Sequence, residues 1–525
     1  MNFVGLLRNL LICYYALLAA NEIRAANIVG FPVDDYYSHQ NSMRIVGKEM
    51  LKRGHRYTQI VPHFIESQYQ DIDLIVFNTS VTQDDLHEVM FAFINIGDDV
   101  QSLKGSNDIY KAMKNHELME QRHCASLLGN ERIMEKLKDD TDILICDLAN
   151  HCCFILAYIL NVSRVDINIM GLMPIAMFRS QCQAPVYLSQ DALLDENDPN
   201  NFSFFNRLAT LKRYVDQRTA FDFYEYSEAL IRKYGKSSPS NAMDAFKPRG
   251  LLLIFHDFAL EYPRPLGPHI KVIGTLTARP PEKLSAEFEP FMNKSDIVVL
   301  VSFGTSLDNL SKSFLQRVTE GLGNLSVPVL WKKSENSHPP RVPTNVKLVD
   351  WIPQNDILGH VSTKVHVTHL GLNSFLESVY HGVPIVGIPF LFDQPRQAAI
   401  VQLKGLGKIL DRHTMTPEDL TATVNEVLSN KKYEENVKRV SKLMKDRKQS
   451  PVEEGADWIE YALRHDGAKH LVSDALYLPE YKLYSVDIFL FMFSVFVLIF
   501  FALLMICCVI YRSIKTISFL KYKKS

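Results

Sequence analysis

The stretch "VTHLGLNSFLESVYHGVPIVGIPFLFDQP", residues 367–395, fixes the reading of the fold. Just before and within it, Val365 and Val367 alternate as residues of a half-buried strand do. From Asn373 onward, Phe375, Leu376 and Val379 recur at helical spacing, and Gly382 closes the helix. His369–Ser374 is therefore the turn from a strand into a helix N-terminus. The free N–H groups and positive dipole end of such a terminus attract an anion, and Gly371 lets the backbone approach it closely. Asn373 and Ser374 are placed to cap the helix or donate to phosphate oxygens, and His369 offers one more donor. Leu370 is the odd residue, a bulky apolar side chain inside a turn built for close approach.

Working outward, apolar runs alternate with amphipathic stretches on both sides. Ile28–Phe31, Tyr57–Val61, Leu74–Phe77 and Ile143–Cys146 read as buried strands, with helices at Met43–Arg53 and Glu131–Lys138. A second series begins near Lys271. It contains strands at Ile297–Val301, Val329–Lys332, Val346–Val349, Val365–Thr368 and Pro384–Ile388, and a helix at Lys312–Gly321. Strand–helix alternation predicts parallel sheets covered on both faces. The fold class is α/β, with two Rossmann-like doubly wound domains facing a cleft, at 27–265 and 266–480, joined by a Pro-rich stretch at 261–281. Ligands in such folds lie outside the carboxyl ends of the strands.

The chain has 525 residues, 22% charged, and a net charge of −2, so it lacks the basic excess of a nucleic-acid-binding protein. Residues 1–26 read as a secretory signal: Arg8, an apolar stretch Leu10–Ala20, then small residues. Ile488–Ile510 runs 23 residues without a charge, long enough to cross a bilayer. Arg512, Lys515, Lys521, Lys523 and Lys524 follow and place the tail, 511–525, in the cytosol. This predicts a single-pass type I protein with its bulk luminal, the lysines of the KYKKS tail contacting lipid headgroups or acting as an endoplasmic-reticulum retrieval signal. Asn-x-Ser/Thr sequons at Asn78, Asn161, Asn201, Asn293, Asn309 and Asn324 fit the luminal side. Five cysteines (Cys124, Cys146, Cys152, Cys153 and Cys182) lie between signal and span. This odd set is compatible with one bridge but not with a disulfide scaffold. With no Cys-x-x-Cys or His-Glu-x-x-His, nothing points to a zinc site.

Together, "WIPQNDILGH" (351–360), "THLGLNSFLESVYHGVPIVGIP" (368–389) and "DQP" (393–395) resemble the signature of the UDP-glycosyltransferases, most closely animal UDP-glucuronosyltransferase-like membrane enzymes. The resemblance covers essentially the whole chain. It implies a GT-B architecture, an N-terminal domain for the acceptor and a C-terminal domain for a UDP-sugar, which is a substrate and not a cofactor. Trp351 would stack on uracil, Gln354 and Glu377 would hold the ribose, and Thr305, His369, Gly371, Asn373 and Ser374 would cradle the diphosphate. Asp393 and Gln394 would meet the sugar hydroxyls. The family usually has glycine or alanine where this chain has Leu370.

For the chemistry, a neutral imidazole suits removal of an acceptor proton. His39, in "DYYSHQNSM" after the first strand, matches the family's catalytic histidine, and Asp147, ending "DILICD", matches the aspartate that orients it. The implied reaction is metal-independent, inverting transfer of a glycosyl group, glucuronate or glucose, to a hydroxyl of a small lipophilic acceptor. The rival reading is a catalytically silent member that binds UDP-sugars and modulates a partner enzyme; homo- or hetero-oligomers fit either reading. Asp71-Ile-Asp73 has the spacing of a metal-binding Asp-x-Asp motif but merely leads into a strand, so no metal ligand is assigned.

Overall fold

The computed structural model describes residues 25–522 apart from 34–36, 90–106, 172–203, 209–223, 236–242, 305–309, 334–337 and isolated positions (69, 87, 206–207, 262, 264–265, 340, 391–392). Two wholly parallel sheets organise it. The first contains β1 (Asn27–Phe31), β2 (Arg56–Pro62), β3 (Asp73–Phe77), β4 (Ile143–Asp147), β5 (Ser163–Asn168), β6 (Leu252–Ile254) and β7 (Ile270–Val272), in the order β3-β2-β1-β4-β5-β6-β7. The second contains β8 (Val298–Ser302), β9 (Val329–Lys332), β10 (Val346–Val349), β11 (Thr363–Thr368), β12 (Ile385–Gly387) and β13 (Gly407–Ile409), in the order β10-β9-β8-β11-β12-β13.

The helices are α1 (Tyr37–Lys52), α2 (Asn107–Leu128), α3 (Glu131–Asp140), α4 (His151–Leu160), α5 (Tyr224–Tyr234), α6 (Lys312–Gly323), α7 (Gln354–Leu358), α8 (Leu372–His381), α9 (Gln394–Lys404), α10 (Pro417–Ser429), α11 (Lys431–Lys445), α12 (Pro451–Arg464) and α13 (Val486–Tyr522). Central strands such as Val298–Ser302 and Ile143–Asp147 are buried throughout, as strands covered on both faces must be.

Strand order reverses between β1 and β4 in the first sheet and between β8 and β11 in the second. Each reversal opens a crevice at the carboxyl ends of the central strands, where ligands of doubly wound sheets bind. His39 and Asp147 follow from the first reversal, and His369 from the second.

Two boundaries differ from the sequence reading. Lys271 does not open the second domain: Ile270–Val272 pairs in parallel with Leu252–Ile254 and closes the first sheet. The chain also returns after the second sheet, because α12 packs on the first. Ala456, Ile459 and Ala462 share a buried cluster with Ile28, Met43, Tyr57 and Val165, and Arg53 bonds to Asp457 and Glu460. A helix buries its apolar stripe where space exists, and sequence spacing does not say against which sheet.

Residues 473–525 form a separate compact unit containing α13, of which Val486–Ile517 is long and apolar enough to cross a membrane. Residues 1–24 of the proposed signal lie outside the described residues. Of the sequon asparagines, Asn78, Asn161, Asn293 and Asn324 are exposed, and Asn201 and Asn309 lie outside the description.

The cysteines form two bridges where the sequence suggested at most one: Cys124–Cys152 and Cys146–Cys153. They tie α4 to α2 and to the end of β4, next to Asp147; Cys182 lies outside the described residues. The loops they close span 28 and 7 residues, which correspond to ~3–4 and ~2 kcal/mol of chain-entropy stabilisation. A non-reducing peptide map should recover these two pairs, and Cys124→Ala with Cys152→Ala should lower the thermal midpoint more than Cys146→Ala with Cys153→Ala. A map pairing any of the four with Cys182 would contradict the arrangement.

Candidate active site

His39 lies in the first turn of α1, behind β1, and Asp147 is the last residue of β4. Because β1 and β4 are neighbours, their carboxyl ends bring the two together: His39 Nδ1 is 2.6 Å from Asp147 Oδ2, with both residues buried. The other carboxylate oxygen accepts the Ala149 N–H at 3.0 Å, so the carboxylate is held from two sides. Asn150, which the sequence reading passed over, tightens the corner. Its Nδ2 donates to the Pro32 carbonyl at 2.6 Å, and its Oδ1 caps α4 by accepting from Cys153 N–H. An asparagine directly ahead of an apolar helical run is a capping signal that could have revealed it.

Across the cleft, β11 turns into α8 as the sequence predicted, but with a different cap. The helix begins at Leu372, its N-cap is Gly371, and no side chain caps it. Asn373 and Ser374 are thus the second and third helical residues and not its caps. A Cβ on Gly371 would fall 2.5 Å from His369 Nε2, and one on Gly304 would fall 2.8 Å from the same ring. The two glycines admit the imidazole between the β8 and β11 turns. Burial, and then the Lys332 charge, push the His369 pKa down to about 4, so the ring is neutral at physiological pH. Lys332, at the end of β9, was not singled out from sequence. Its Nζ donates to the Gly304 carbonyl at 2.8 Å and lies 5.5 Å from the Trp351 ring centroid.

Trp351 is 55% exposed, and its ring meets Tyr37 of the first domain edge-on at 5.6 Å. Gln354 Nε2 donates to Ser374 Oγ at 3.0 Å and to Glu377 Oε2 at 2.7 Å, joining α7 to α8. Burial raises the Glu377 pKa, and the Gln354 hydrogen bond opposes that rise.

Asp393 precedes α9 and is pushed up to about 6, by burial first, against backbone hydrogen bonds and the Arg396 charge that lower it. It also accepts from Gln397 Nε2 at 2.7 Å. Gln394 is buried, with its Oε1 accepting from Phe390 N–H at 2.7 Å. Thr305 lies outside the described residues. Asp71 is ion-paired with Arg44 and Lys48 on the flank of α1.

Leu370 turns inward. It is wholly buried, in a cluster with Leu260, Phe375, Val379, Ile385 and Val401. Its φ of 69° is in the left-handed region, which explains why a glycine would be at ease there. The side chain fills space above Gly387, where a Cβ would fall 2.5 Å from Leu370 Cδ1. Leu370→Gly should relieve backbone strain of about 1–2 kcal/mol but forfeit about 2–5 kcal/mol of packing. A lower thermal midpoint with an unchanged donor KM is expected. An unchanged midpoint with a much lower KM would refute inward packing.

Comparison with known proteins shows the family. The family described as "UDP-glucoronosyl and UDP-glucosyl transferase" matches residues 27–520. UDP-glucuronosyltransferase 1A7 of Mus musculus is 29% identical over 94% of this chain and 94% of its own length. The 2-hydroxyacylsphingosine 1-beta-galactosyltransferase of Mus musculus is 28% identical over 96% of this chain and 92% of its own. Among solved structures, the calicheamicin glycosyltransferase CalG4 superposes with a TM-score of 0.58 at 18% identity, covering 84% of this chain and 99% of its own, a likeness of fold. The chain belongs to the UDP-glucuronosyl and UDP-glucosyl transferase family, with a GT-B fold, and is a UDP-glycosyltransferase.

Proposed function

We propose that this chain transfers a glycosyl group from a UDP-sugar to a hydroxyl of a small lipophilic acceptor, with inversion and without a metal. The observation that carries this reading is the buried His39–Asp147 contact, 2.6 Å long. With Nδ1 engaged by Asp147, His39 presents Nε2 to an acceptor hydroxyl and takes its proton as the bond to the anomeric carbon forms. Asp147 fixes the ring orientation and stabilises the imidazolium that results. The bond to the UDP oxygen breaks on the opposite face. Its negative charge develops toward the uncapped N-terminus of α8, the His369 ring and Lys332.

The donor domain supplies the remaining contacts. Trp351 offers an exposed ring face for uracil, Gln354 and Glu377 bind the ribose, and Thr305, Gly371, Asn373 and Ser374 complete the diphosphate cradle. Asp393 and Gln394 bind sugar hydroxyls. Glucuronate is the favoured sugar, with glucose or galactose next, following the named activities of the relatives. The helix α13 anchors the enzyme in the endoplasmic-reticulum membrane with its bulk luminal, where acceptors that partition into lipid are concentrated. The silent-member alternative drew on Leu370 alone, and that side chain faces the core.

Membranes of cells expressing only this chain, given labelled UDP-glucuronate, UDP-glucose or UDP-galactose with phenols and steroids, test the activity. Within that assay His39→Ala should lower transfer by about 10²–10⁴-fold and leave UDP affinity intact, because His39 belongs to the acceptor domain. Equal loss of UDP binding and transfer would show that His39 is not the base.

A further inference from the structure

A buried chain of polar groups links the two sheets one turn away from the proposed sugar contacts. His256 follows β6 of the first sheet and is completely buried. Its Nδ1 accepts the Asp257 N–H at 2.7 Å, which places the ring proton on Nε2. Nε2 lies 3.1 Å from Oε1 of Glu261, a carboxylate with no exposed surface. The other oxygen of Glu261 accepts from Nη2 of Arg396, on α9 of the second domain. Arg396 follows Asp393 and Gln394 directly after Pro395, and its N–H closes on the Asp393 carbonyl at 3.1 Å.

Two features argue that stability alone does not account for this chain. A buried ion pair loses its hydration, and apolar packing of equal volume often stabilises as well or better. In addition, among the described residues Arg396 Nε and Nη1 are buried without a hydrogen-bond partner, an arrangement that folding energy alone disfavours. The surroundings are also shaped to admit it. Gly171, three residues after β5 and with φ +78°, has no room for a side chain: a Cβ there would fall 2.7 Å from the His256 ring and 3.7 Å from Arg396 Nη1.

We propose that Arg396 and Glu261 are positioning residues that brace the sugar-binding turn, Asp393–Gln394, against the sheet carrying His39 and Asp147. Glu261 lies against His256 at 3.1 Å on one side and accepts a hydrogen bond from Arg396 on the other. The guanidinium then fixes the first turn of α9, and its charge favours the ionised Asp393 that accepts from sugar hydroxyls. UDP itself, held by Trp351, Gln354, Glu377 and α8, does not depend on this brace. This inference rests on the donor-site assignment above.

The test uses the full-length protein in membranes, with Arg396→Gln, Arg396→Lys, Glu261→Gln and the Arg396→Gln/Glu261→Gln double variant. UDP affinity is measured by competition, and kcat and KM with the preferred UDP-sugar. Arg396→Gln and Glu261→Gln should each lower kcat about 10–100-fold, the double variant should be no worse than the poorer single one, and UDP affinity should be unchanged. Arg396→Lys should recover most of the rate, because a single N–H···O contact is replaced. If Arg396→Gln does not fold, Glu261→Asp keeps both charges and withdraws the carboxylate, and the same loss of kcat is expected. Unchanged kcat, or UDP affinity falling by the same factor as kcat, would overturn the brace. A wild type that transfers from no UDP-sugar would overturn the donor-site reading, and the brace with it.

Discussion

The hydrogen bond between His39 and Asp147 joins residues 108 positions apart, and it exists because β1 and β4 lie side by side with parallel carboxyl ends. Around it the first domain is built to keep that corner fixed. Asn150 ties the end of β1 to the start of α4, and the Cys146–Cys153 bridge fastens the end of β4 to the same helix. A base that must meet an acceptor hydroxyl within hydrogen-bond reach needs such rigidity, since small misplacements cost large factors in rate.

On the proposed reading, the second domain has a complementary problem, to receive negative charge without an opposing excess of buried cations. Its means are an uncapped helix terminus, a neutral imidazole and one lysine anchored on a backbone carbonyl. Burial keeps His369 neutral, and its ring is hydrogen-bonded to the Ser302 backbone, so it adds no buried cation to the proposed diphosphate site. Backbone dipoles and neutral donors fixed in place need no reorganisation as charge develops, the requirement for electrostatic catalysis.

Much of this was legible in sequence because the central strands are apolar and β-branched, and their following turns carry Gly, His and Asp at strand ends. The elements that escaped had physical reasons to do so. In β5, "SRVDIN", Arg164 and Asp166 look like surface residues, yet they pair with each other at 2.8 Å and are buried. β6, β7 and β13 are three residues long and lack a period to detect. The return of α12 to the first sheet and the pairing of adjacent Cys152 and Cys153 with different partners are tertiary facts. Leu370 shows the opposite limit. Its neighbours revealed the turn, but only the backbone at φ 69° reveals that the side chain leaves the cradle.

The central claim is that His39 and Asp147 act as one unit in proton removal. The most direct test compares kcat for His39→Ala, Asp147→Asn and the double variant, with UDP affinity measured on each. If Asp147 acts through the imidazole, the double variant should be no slower than His39→Ala, and all three should bind UDP like the wild type. Multiplicative losses in the double variant would contradict the account, because they would show that Asp147 serves the reaction independently of the histidine it touches.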